Sequence, residues 1–367
     1  MIRSLIDIVT MVAGGSMNLW YEGIRFPRKN LSQAQVRNYL VSRIHSRLRV
    51  LRPASFPIGL QLEPTTRCQL RCPLCPRTRL PEGQGGADMS MENYCRVIEE
   101  AGSSLLAIAF WQWGEPLLHP EISAMVRMAH ERNILSIIST NGQAGPDEEK
   151  IRGLFDAGLD MLIISLDGID QDPYDSFRRG GDVSTTMAFA REACRIKRET
   201  KRGTPLINIR LIATAETESG VDRVREFARD IGADIFSLKA VSLYYDDDPE
   251  NPALPRNRQY RSFQYRGAKE AAEYRTMIPY CNKPWSWPTL LHDGTLLICE
   301  CDHQSCCDLG NVFADGFARV WGGVRAAGVR QHFPDLEFCN RCRYKLDDAF
   351  REVTWLQDKD GRRKKKA

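Results

Sequence analysis

Between residues 57 and 243 the sequence alternates short apolar runs with longer amphipathic segments, and this alternation constrains the fold more than any other feature. The apolar runs are predicted to be buried strands, at 58–63, 105–113, 134–142, 161–168, 206–214 and 234–242. Helices are predicted between them, at 91–101, 120–132, 146–157, 184–200 and 219–230. Such regular alternation implies an α/β fold whose parallel sheet has right-handed crossovers and is closed or half closed as a barrel.

Polar residues lie at the carboxyl ends of four of these runs or shortly after them, where parallel α/β sheets carry their chemistry. In chain order they are Cys68 to Cys75, Gly114-Glu115-Pro116, Thr140-Asn141-Gly142, and Ser165 with Asp167-Gly168. The carboxyl ends of parallel strands meet at one edge, so the sequence predicts a single site there.

The chain has twelve cysteines, and their expected chemistry depends on the compartment. Asp7 interrupts the apolar opening of the sequence, so residues 1–15 are predicted to form an amphipathic helix and no export signal is expected. No run of 18 apolar residues is present, so no transmembrane segment is expected. A cytoplasmic location follows, and reduced thiols there favour metal binding over disulfides. Cys95 and Cys194 stand alone in helical patterns and are expected to be ordinary thiols.

Cys68, Cys72 and Cys75 have the spacing C-x-x-x-C-x-x-C on one loop after the first predicted strand. Three thiolates on a cubane of four irons leave one iron without a protein ligand, which suits a reactive centre. A zinc site would need a fourth ligand nearby, and no cysteine or histidine lies between Cys75 and Cys95.

This motif, placed after the first strand of an alternating barrel, resembles the radical S-adenosylmethionine (SAM) superfamily. The resemblance covers about residues 57–345 and implies a partial (β/α)6 TIM-like barrel with a [4Fe–4S] cluster on the three cysteines. It also implies contacts to SAM. These are Leu74 on the adenine, Gly114 and Glu115 at the methionine amino group, Ser165 at the ribose, and Arg178 or Arg179 at the methionine carboxylate.

The reaction that the resemblance implies is reductive cleavage of SAM. The resulting 5′-deoxyadenosyl radical then takes a hydrogen atom from a substrate. A reductant such as flavodoxin or ferredoxin is the expected partner.

A second cysteine-rich region occupies about residues 278–345. Cys281 and Cys299 flank a predicted hairpin around Asp293-Gly294, and Cys339-x-x-Cys342 follows. The arrangement resembles the SPASM/twitch module of radical SAM enzymes, which implies an auxiliary [4Fe–4S] cluster on these four cysteines. Four thiolates would equally form a zinc ribbon, and that alternative stays open.

Three further cysteines of this region, Cys301, Cys306 and Cys307, have no assigned role. They could replace one of the four ligands, contact substrate or be buried, and each is expected to be replaceable by serine with iron content intact.

The remaining segments complete the predicted domain organisation. Residues 1–56 form a basic helical extension, 244–277 a linker or lid, and 346–367 a basic tail. Residues 1–56 contain nine Lys and Arg residues and two acidic residues, and residues 357–367 contain six Lys and Arg residues and two acidic residues. Basic ends on an acidic body could contact an anionic surface, or be solvated chain.

These features predict an enzyme that abstracts hydrogen from a small sugar- or lipid-like molecule, helped by the auxiliary cluster. A peptide-modifying enzyme is the alternative, disfavoured because residues 1–56 lack the pattern of a peptide-recognition domain. A non-catalytic iron–sulfur carrier would need no open iron, and nucleic-acid binding would need aromatic residues among the basic ends.

Overall fold

A computed structural model of the chain describes residues 14–79, 86–243, 248–276, 281–302, 305–340, 342 and 350–357. It contains an N-terminal hairpin of strands β1 (Met17–Tyr21) and β2 (Ile24–Arg28). The six predicted strands follow as β3 (Gly59–Leu62), β4 (Ala107–Phe110), β5 (Leu135–Thr140), β6 (Met161–Ser165), β7 (Leu206–Ala213) and β8 (Ile235–Ala240). All six pair in parallel, in chain order, and confirm the predicted α/β fold.

The sheet continues at both edges beyond these strands. On one side β9 (Thr289–Leu290) pairs in parallel with β3, and β10 (Thr295–Leu297) and β11 (Asp308–Asn311) add antiparallel strands. The Asp293-Gly294 turn therefore joins a hairpin, as predicted. The cysteine-rich module therefore extends the barrel sheet itself through β9, β10 and β11. On the other side β12 (Phe350–Trp355), which follows that module in the chain, pairs antiparallel with β8.

Thirteen α-helices are described, five of them at the predicted positions between the barrel strands. In chain order they are α1 (Gln33–Leu48), α2 (Met91–Ala101), α3 (Ile122–Glu131), α4 (Glu148–Asp156), α5 (Gln171–Phe177), α6 (Val183–Thr200), α7 (Val221–Ile231), α8 (Ala268–Thr276), α9 (Lys283–Ser286), α10 (Val312–Asp315), α11 (Phe317–Trp321), α12 (Val324–His332) and α13 (Glu337–Asn340). Ser90, Asp147 and Asp182 cap α2, α4 and α6 by accepting hydrogen bonds from backbone N–H groups of the first turn.

Successive residues of the barrel strands pack into two different cores. Ile108 and Phe110 of β4 contact the surrounding helices in the larger core. Ala107 and Ala109, one residue away on the same strand, belong to a second core inside the barrel. Because both faces of the sheet are buried, the strands are continuous apolar runs, which made them readable from the sequence.

The N-terminal hairpin fills the inside of the barrel, and the prediction that residues 1–56 are helical is wrong for this part. Leu19, Ile24 and Phe26 are buried in the inner core. Glu22 and Gly23 form the turn, both with positive φ (48° and 78°), which suits a two-residue hairpin. The sequence signal was present as alternating apolar residues around Glu-Gly, and only α1 fits the helical expectation.

The segment predicted as a basic tail also contains regular structure. Glu352 of β12 forms an ion pair with Arg225 (2.6 Å), and the strand covers the free edge of β8. The predicted helix over 1–15 lies almost entirely outside the described residues, as do residues 358–367. The segment 244–277 contains α8 and two short 3-10 helices, Arg258–Tyr260 and Phe263–Tyr265.

Within the described part of the chain, no helix is long and apolar enough to cross a lipid bilayer.

Candidate active site and auxiliary thiol site

A cavity of about 240 Å³ opens at the carboxyl ends of the barrel strands. All three cysteines of the first motif line it, and so do residues that follow the second, third and fourth strands. The structure therefore brings together the polar residues that the sequence predicted to meet. Their shared wall includes Cys68, Cys72, Cys75, Leu74, Gly114, Glu115, Thr140, Asn141, Ser165 and Arg178.

The cysteine loop is held next to the ends of the neighbouring strands. The Asn141 side-chain amide lies 3.7 Å from Cys68 Sγ, and Arg71 N–H donates to the Arg179 carbonyl at 2.9 Å. Burial raises the pKa of all three thiols, that of Cys75 to about 11. Three soft sulfur donors on one cavity wall suit an iron–sulfur cluster.

Glu115 is a buried carboxylate fixed by three donors. Thr140 Oγ1 donates to Oε1 and Asn141 N–H donates to Oε2, both at 2.7 Å, and Leu117 N–H donates to Oε1 at 3.1 Å. Burial raises the pKa of this carboxyl group, while the hydrogen bonds oppose the shift. A held carboxylate beside the thiols can accept an ammonium group.

Gly114 allows the Glu115 segment to approach the cysteine loop. A Cβ atom at this position would lie 1.9 Å from the Thr65 carbonyl oxygen. The close approach also lets Glu115 N–H donate to the Arg67 carbonyl at 2.7 Å. The residue before it also contacts the end of the first barrel strand, because Trp113 N–H donates to Glu63 Oε1 at 3.2 Å.

Arg178 and Arg179, which the sequence could not separate, have different positions. Arg178 lines the cavity and forms a 2.5 Å ion pair with the buried Asp167, whereas Arg179 is exposed and is absent from the described cavity wall. Burial alone would lower the Arg178 pKa, but Asp167 and Cys72 raise it, so the guanidinium stays charged. Of the two arginines, Arg178 is therefore the one that lies at the cavity.

A second group of thiols lies between the hairpin and the C-terminal helices. Cys281, Cys299, Cys339 and Cys342 line one apolar cavity, as expected for a shared site. Cys301 lines it as well, and its Sγ is 3.5 Å from that of Cys342. Five thiols therefore line a cavity where a cubane needs only four ligands. Their positions do not distinguish Cys301 from the four cysteines that the sequence predicted as ligands.

Cys306 and Cys307 are grouped elsewhere, around Asp302. Both backbone N–H groups donate to the Asp302 carboxylate, at 3.0 and 2.8 Å, and Cys306 Sγ lies 3.1 Å from Asp302 Oδ1. The three ligand atoms lie within 4.8 Å of one another. Neither thiol lines the five-thiol cavity as described.

The two sites adjoin each other through one short segment. Glu300 lines the larger cavity and pairs with Lys283 at 2.6 Å, while its neighbours Cys299 and Cys301 line the thiol cavity. His292, on the hairpin turn, pairs with Glu63 of the barrel at 3.0 Å.

Sequence reasoning missed several residues of the cavity wall. They are Tyr21, Glu22, Gln61, Trp111, Arg210, Lys239 and Glu300. Arg210 and Lys239 lie within runs predicted as strands, but nothing in a strand pattern shows which face turns inward to a cavity. Glu22 lies on the hairpin that was not predicted.

The fold and the two thiol sites define an iron–sulfur enzyme built on a partial barrel. A model of the radical SAM superfamily matches residues 62–214, and a model of the SPASM iron–sulfur cluster-binding domain matches residues 281–343. The two ranges cover more than half of the chain. The chain therefore belongs to the radical SAM superfamily, as a member with a SPASM domain, and this membership implies a [4Fe–4S] cluster, SAM and auxiliary iron–sulfur binding.

Curated relatives match only part of the chain. A PqqA peptide cyclase from Granulibacter bethesdensis is 26% identical over 188 residues, 51% of this chain and 48% of the relative. A tungsten-containing aldehyde ferredoxin oxidoreductase cofactor-modifying protein from Pyrococcus furiosus is 26% identical over 177 residues, 48% of this chain and 49% of the relative. A PqqA peptide cyclase from Methylorubrum populi is 33% identical over 114 residues, 31% of this chain and 29% of the relative. The match spans at most about half the length of these relatives.

Solved structures share the fold. SuiB of Streptococcus suis bound to precursor peptide SuiA has a TM-score of 0.61 at 15% identity, over 95% of this chain and 87% of that one. The SAM-bound form of SuiB has a TM-score of 0.59 at 15% identity, over 84% and 76%.

Proposed function

We propose that this protein cleaves SAM reductively and uses the resulting radical to modify a peptide. The observation that carries the proposal is the single cavity that Cys68, Cys72, Cys75 and Glu115 line together. Three thiols on a cluster of four irons would leave one iron without a protein ligand. Together with the fixed carboxylate of Glu115, this arrangement suits SAM, which is both an amino acid and a sulfonium.

In this proposal the three cysteines hold the [4Fe–4S] cluster, which when bound supplies the electron that cleaves the sulfonium. Glu115 accepts the methionine ammonium, and Arg178 donates to the methionine carboxylate. Ser165 lies at the cavity edge for the ribose, and Leu74 offers an apolar contact for the adenine. Burial around these groups excludes water from the reacting centre.

The five-thiol cavity is proposed to hold an auxiliary cluster, with Cys281, Cys299, Cys339 and Cys342 as its ligands. It adjoins the substrate cavity through the segment Cys299–Cys301. A redox group at that position could accept an electron when the substrate is oxidised. An external reductant of the flavodoxin or ferredoxin type is proposed to deliver the first electron.

A peptide is a better-supported substrate than a small sugar- or lipid-like molecule. Two of the curated relatives are PqqA peptide cyclases, at 26% and 33% identity. The expectation of a small substrate depended on residues 1–56 being basic and helical, without the pattern of a peptide-recognition domain. Part of that segment is a hairpin inside the barrel, and its tip reaches the cavity wall.

The test is anaerobic reconstitution with iron and sulfide, followed by SAM and dithionite, with 5′-deoxyadenosine measured by chromatography. We expect the wild-type protein to form this product and a Cys68→Ala/Cys72→Ala/Cys75→Ala variant to form none while keeping about half of the iron. A Cys95→Ala variant is the matched control, because Cys95 lies on α2, away from both thiol sites. Product formation by the triple variant would refute the proposal.

A further inference from the structure

Helix α1 has polar residues on its buried face. The buried side chains are Gln35, Asn38 and Ser42, none of them more than 8% exposed. Each donates to a backbone carbonyl outside the helix, for example Gln35 Nε2 to Leu105 at 2.9 Å and Asn38 Nδ2 to Pro57 at 3.2 Å. Leu105 and Pro57 precede β4 and β3, so α1 packs across the amino ends of these strands and its polar side chains satisfy carbonyl groups there.

The outer face of α1 is apolar. Ile44 and Leu48 are 55 and 70% exposed, Val41 on the same face is half-buried, and Leu51, just beyond the helix, is 40% exposed. Spacings of three and four residues align Val41, Ile44 and Leu48 in one stripe along the helix. A contiguous apolar stripe on a protein surface marks a site of interaction, unlike a single exposed leucine.

Cationic side chains accompany this apolar stripe. Residues 23–62 contain eight Lys and Arg residues and no Asp or Glu. Arg37 and Arg43 of α1 are exposed, and so is Arg52, which follows the stripe in the chain. Arginine can lay its methylene stem on apolar surface while its charged head stays at a polar interface. This face of the protein therefore offers apolar contact and positive charge together.

We propose that α1 is a peripheral docking surface for an anionic lipid bilayer. In this arrangement Ile44, Leu48 and Leu51 enter the headgroup region, and the neighbouring arginines pair with lipid phosphates. Helices that carry an apolar stripe beside Lys and Arg lie in the plane of the interface in this way. The apolar stripe matches the acyl boundary and the cations match the anionic headgroups, so a single ligand accounts for both features. The inference goes beyond the proposed peptide modification and does not depend on it.

The position of α1 keeps the active site away from such a bilayer. The inner face of α1 contacts the amino ends of β3 and β4, whereas the cavity with Cys68 and Glu115 opens at the carboxyl ends of the strands. A bilayer against the outer face of α1 would therefore lie at the opposite end of the barrel from the cavity. Substrate would enter from the aqueous side, which suits a peptide better than a lipid held in the same bilayer.

Binding of the full-length reconstituted protein to vesicles tests the proposal and is measured by co-flotation. One set of vesicles is phosphatidylcholine alone, and the other contains equal parts of phosphatidylcholine and phosphatidylglycerol. We expect binding to the anionic vesicles to be about tenfold tighter or more, and to weaken as the salt concentration rises. Equal binding to both sets, or no binding to the anionic vesicles, would overturn the proposal.

Two double variants separate the apolar and the charged contributions. Ile44→Ser/Leu48→Ser removes the apolar contact and should weaken binding to the anionic vesicles about tenfold. Arg37→Gln/Arg43→Gln should weaken it about 25-fold, since each cation near an anionic surface contributes about fivefold, and should reduce its salt dependence. Wild-type vesicle binding by either double variant would show that α1 is not the docking surface.

Arg256→Gln/Arg258→Gln is the matched control for charge. Both arginines are exposed, and Arg256 N–H donates to Glu218, which follows the carboxyl end of β7, far from α1. This variant loses the same two charges and should bind vesicles like the wild type. All three double variants replace exposed side chains and should keep the wild-type unfolding temperature.

A second copy of the chain is the competing occupant of the apolar stripe. Sedimentation velocity of the wild type without lipid tests it. A dimer that Ile44→Ser/Leu48→Ser dissociates, together with no binding to anionic vesicles, would overturn the lipid proposal. A wild-type monomer that binds anionic vesicles through α1 is the expected result.

Discussion

Replacing Gly114 by alanine should disrupt the contact between the strand-two motif and the cysteine loop. The added Cβ would lie 1.9 Å from the Thr65 carbonyl oxygen and 3.0 Å from that of Arg67. Both neighbours are backbone atoms, so the loop itself must move by more than 1 Å to reach ordinary contact. The shift would also strain the 2.7 Å hydrogen bond from Glu115 N–H to the Arg67 carbonyl.

Overpacking typically costs about 1–3 kcal/mol, and a lost backbone hydrogen bond costs about 1 kcal/mol. We therefore expect Gly114→Ala to lower the free energy of unfolding by about 3 kcal/mol, measured by urea denaturation. A displacement of this size between cofactor and catalytic groups should also slow 5′-deoxyadenosine formation about 100-fold.

The matched control is Gly203→Ala, because Gly203 is exposed, has no neighbour within 4 Å and lies outside the positive-φ region. That variant should stay within about 0.5 kcal/mol of the wild type. If Gly114→Ala were as stable and active as Gly203→Ala, the close approach at the cysteine loop would be wrong.

Three further predictions concern other parts of the site. Glu115→Gln removes one charge-assisted contact and should weaken SAM binding by about 1.5–3 kcal/mol in calorimetry, with iron content intact as the check on folding. Cys306→Ser should leave the iron content unchanged, whereas Cys299→Ser should remove about half of it, because of these two residues only Cys299 lines the five-thiol cavity; equal iron loss would contradict the assignment. The hydrogen bond that His292 donates to the Glu63 carboxylate raises the pKa of His292, so its stabilisation is present below the unfolded pKa of about 6.5 and is lost as pH rises through the folded value. Thermal unfolding of the protein between pH 6 and 9 should therefore show a loss of stability that His292→Asn lacks, and identical pH profiles would exclude this linkage.

Local sequence patterns determined the barrel and the position of its site. Helix α2 begins and ends at the predicted residues, Met91 and Ala101, and the six strands lie inside the predicted apolar runs. These elements were readable because strands covered on both faces are apolar throughout, and helices with one buried face have a 3.6-residue period. Cys68 and Glu115 follow the first and second barrel strands. Because these strands are parallel, both residues lie at the same edge of the sheet.

Only the tertiary structure decided which residues share a wall across the barrel. Glu22, Arg210 and Lys239 are separated by up to 217 residues, and their meeting depends on the hairpin entering the barrel. Arg178 and Arg179 are adjacent and chemically identical, yet one lies at the cavity and the other in solvent. Cys301 likewise joined the auxiliary thiols because the hairpin and the C-terminal helices close around it. The sequence by itself determined the chemistry of the donors, because residue types and short spacings are local. Long-range packing decided which residues line the substrate side of the cavity. Such packing leaves no periodic pattern in the sequence.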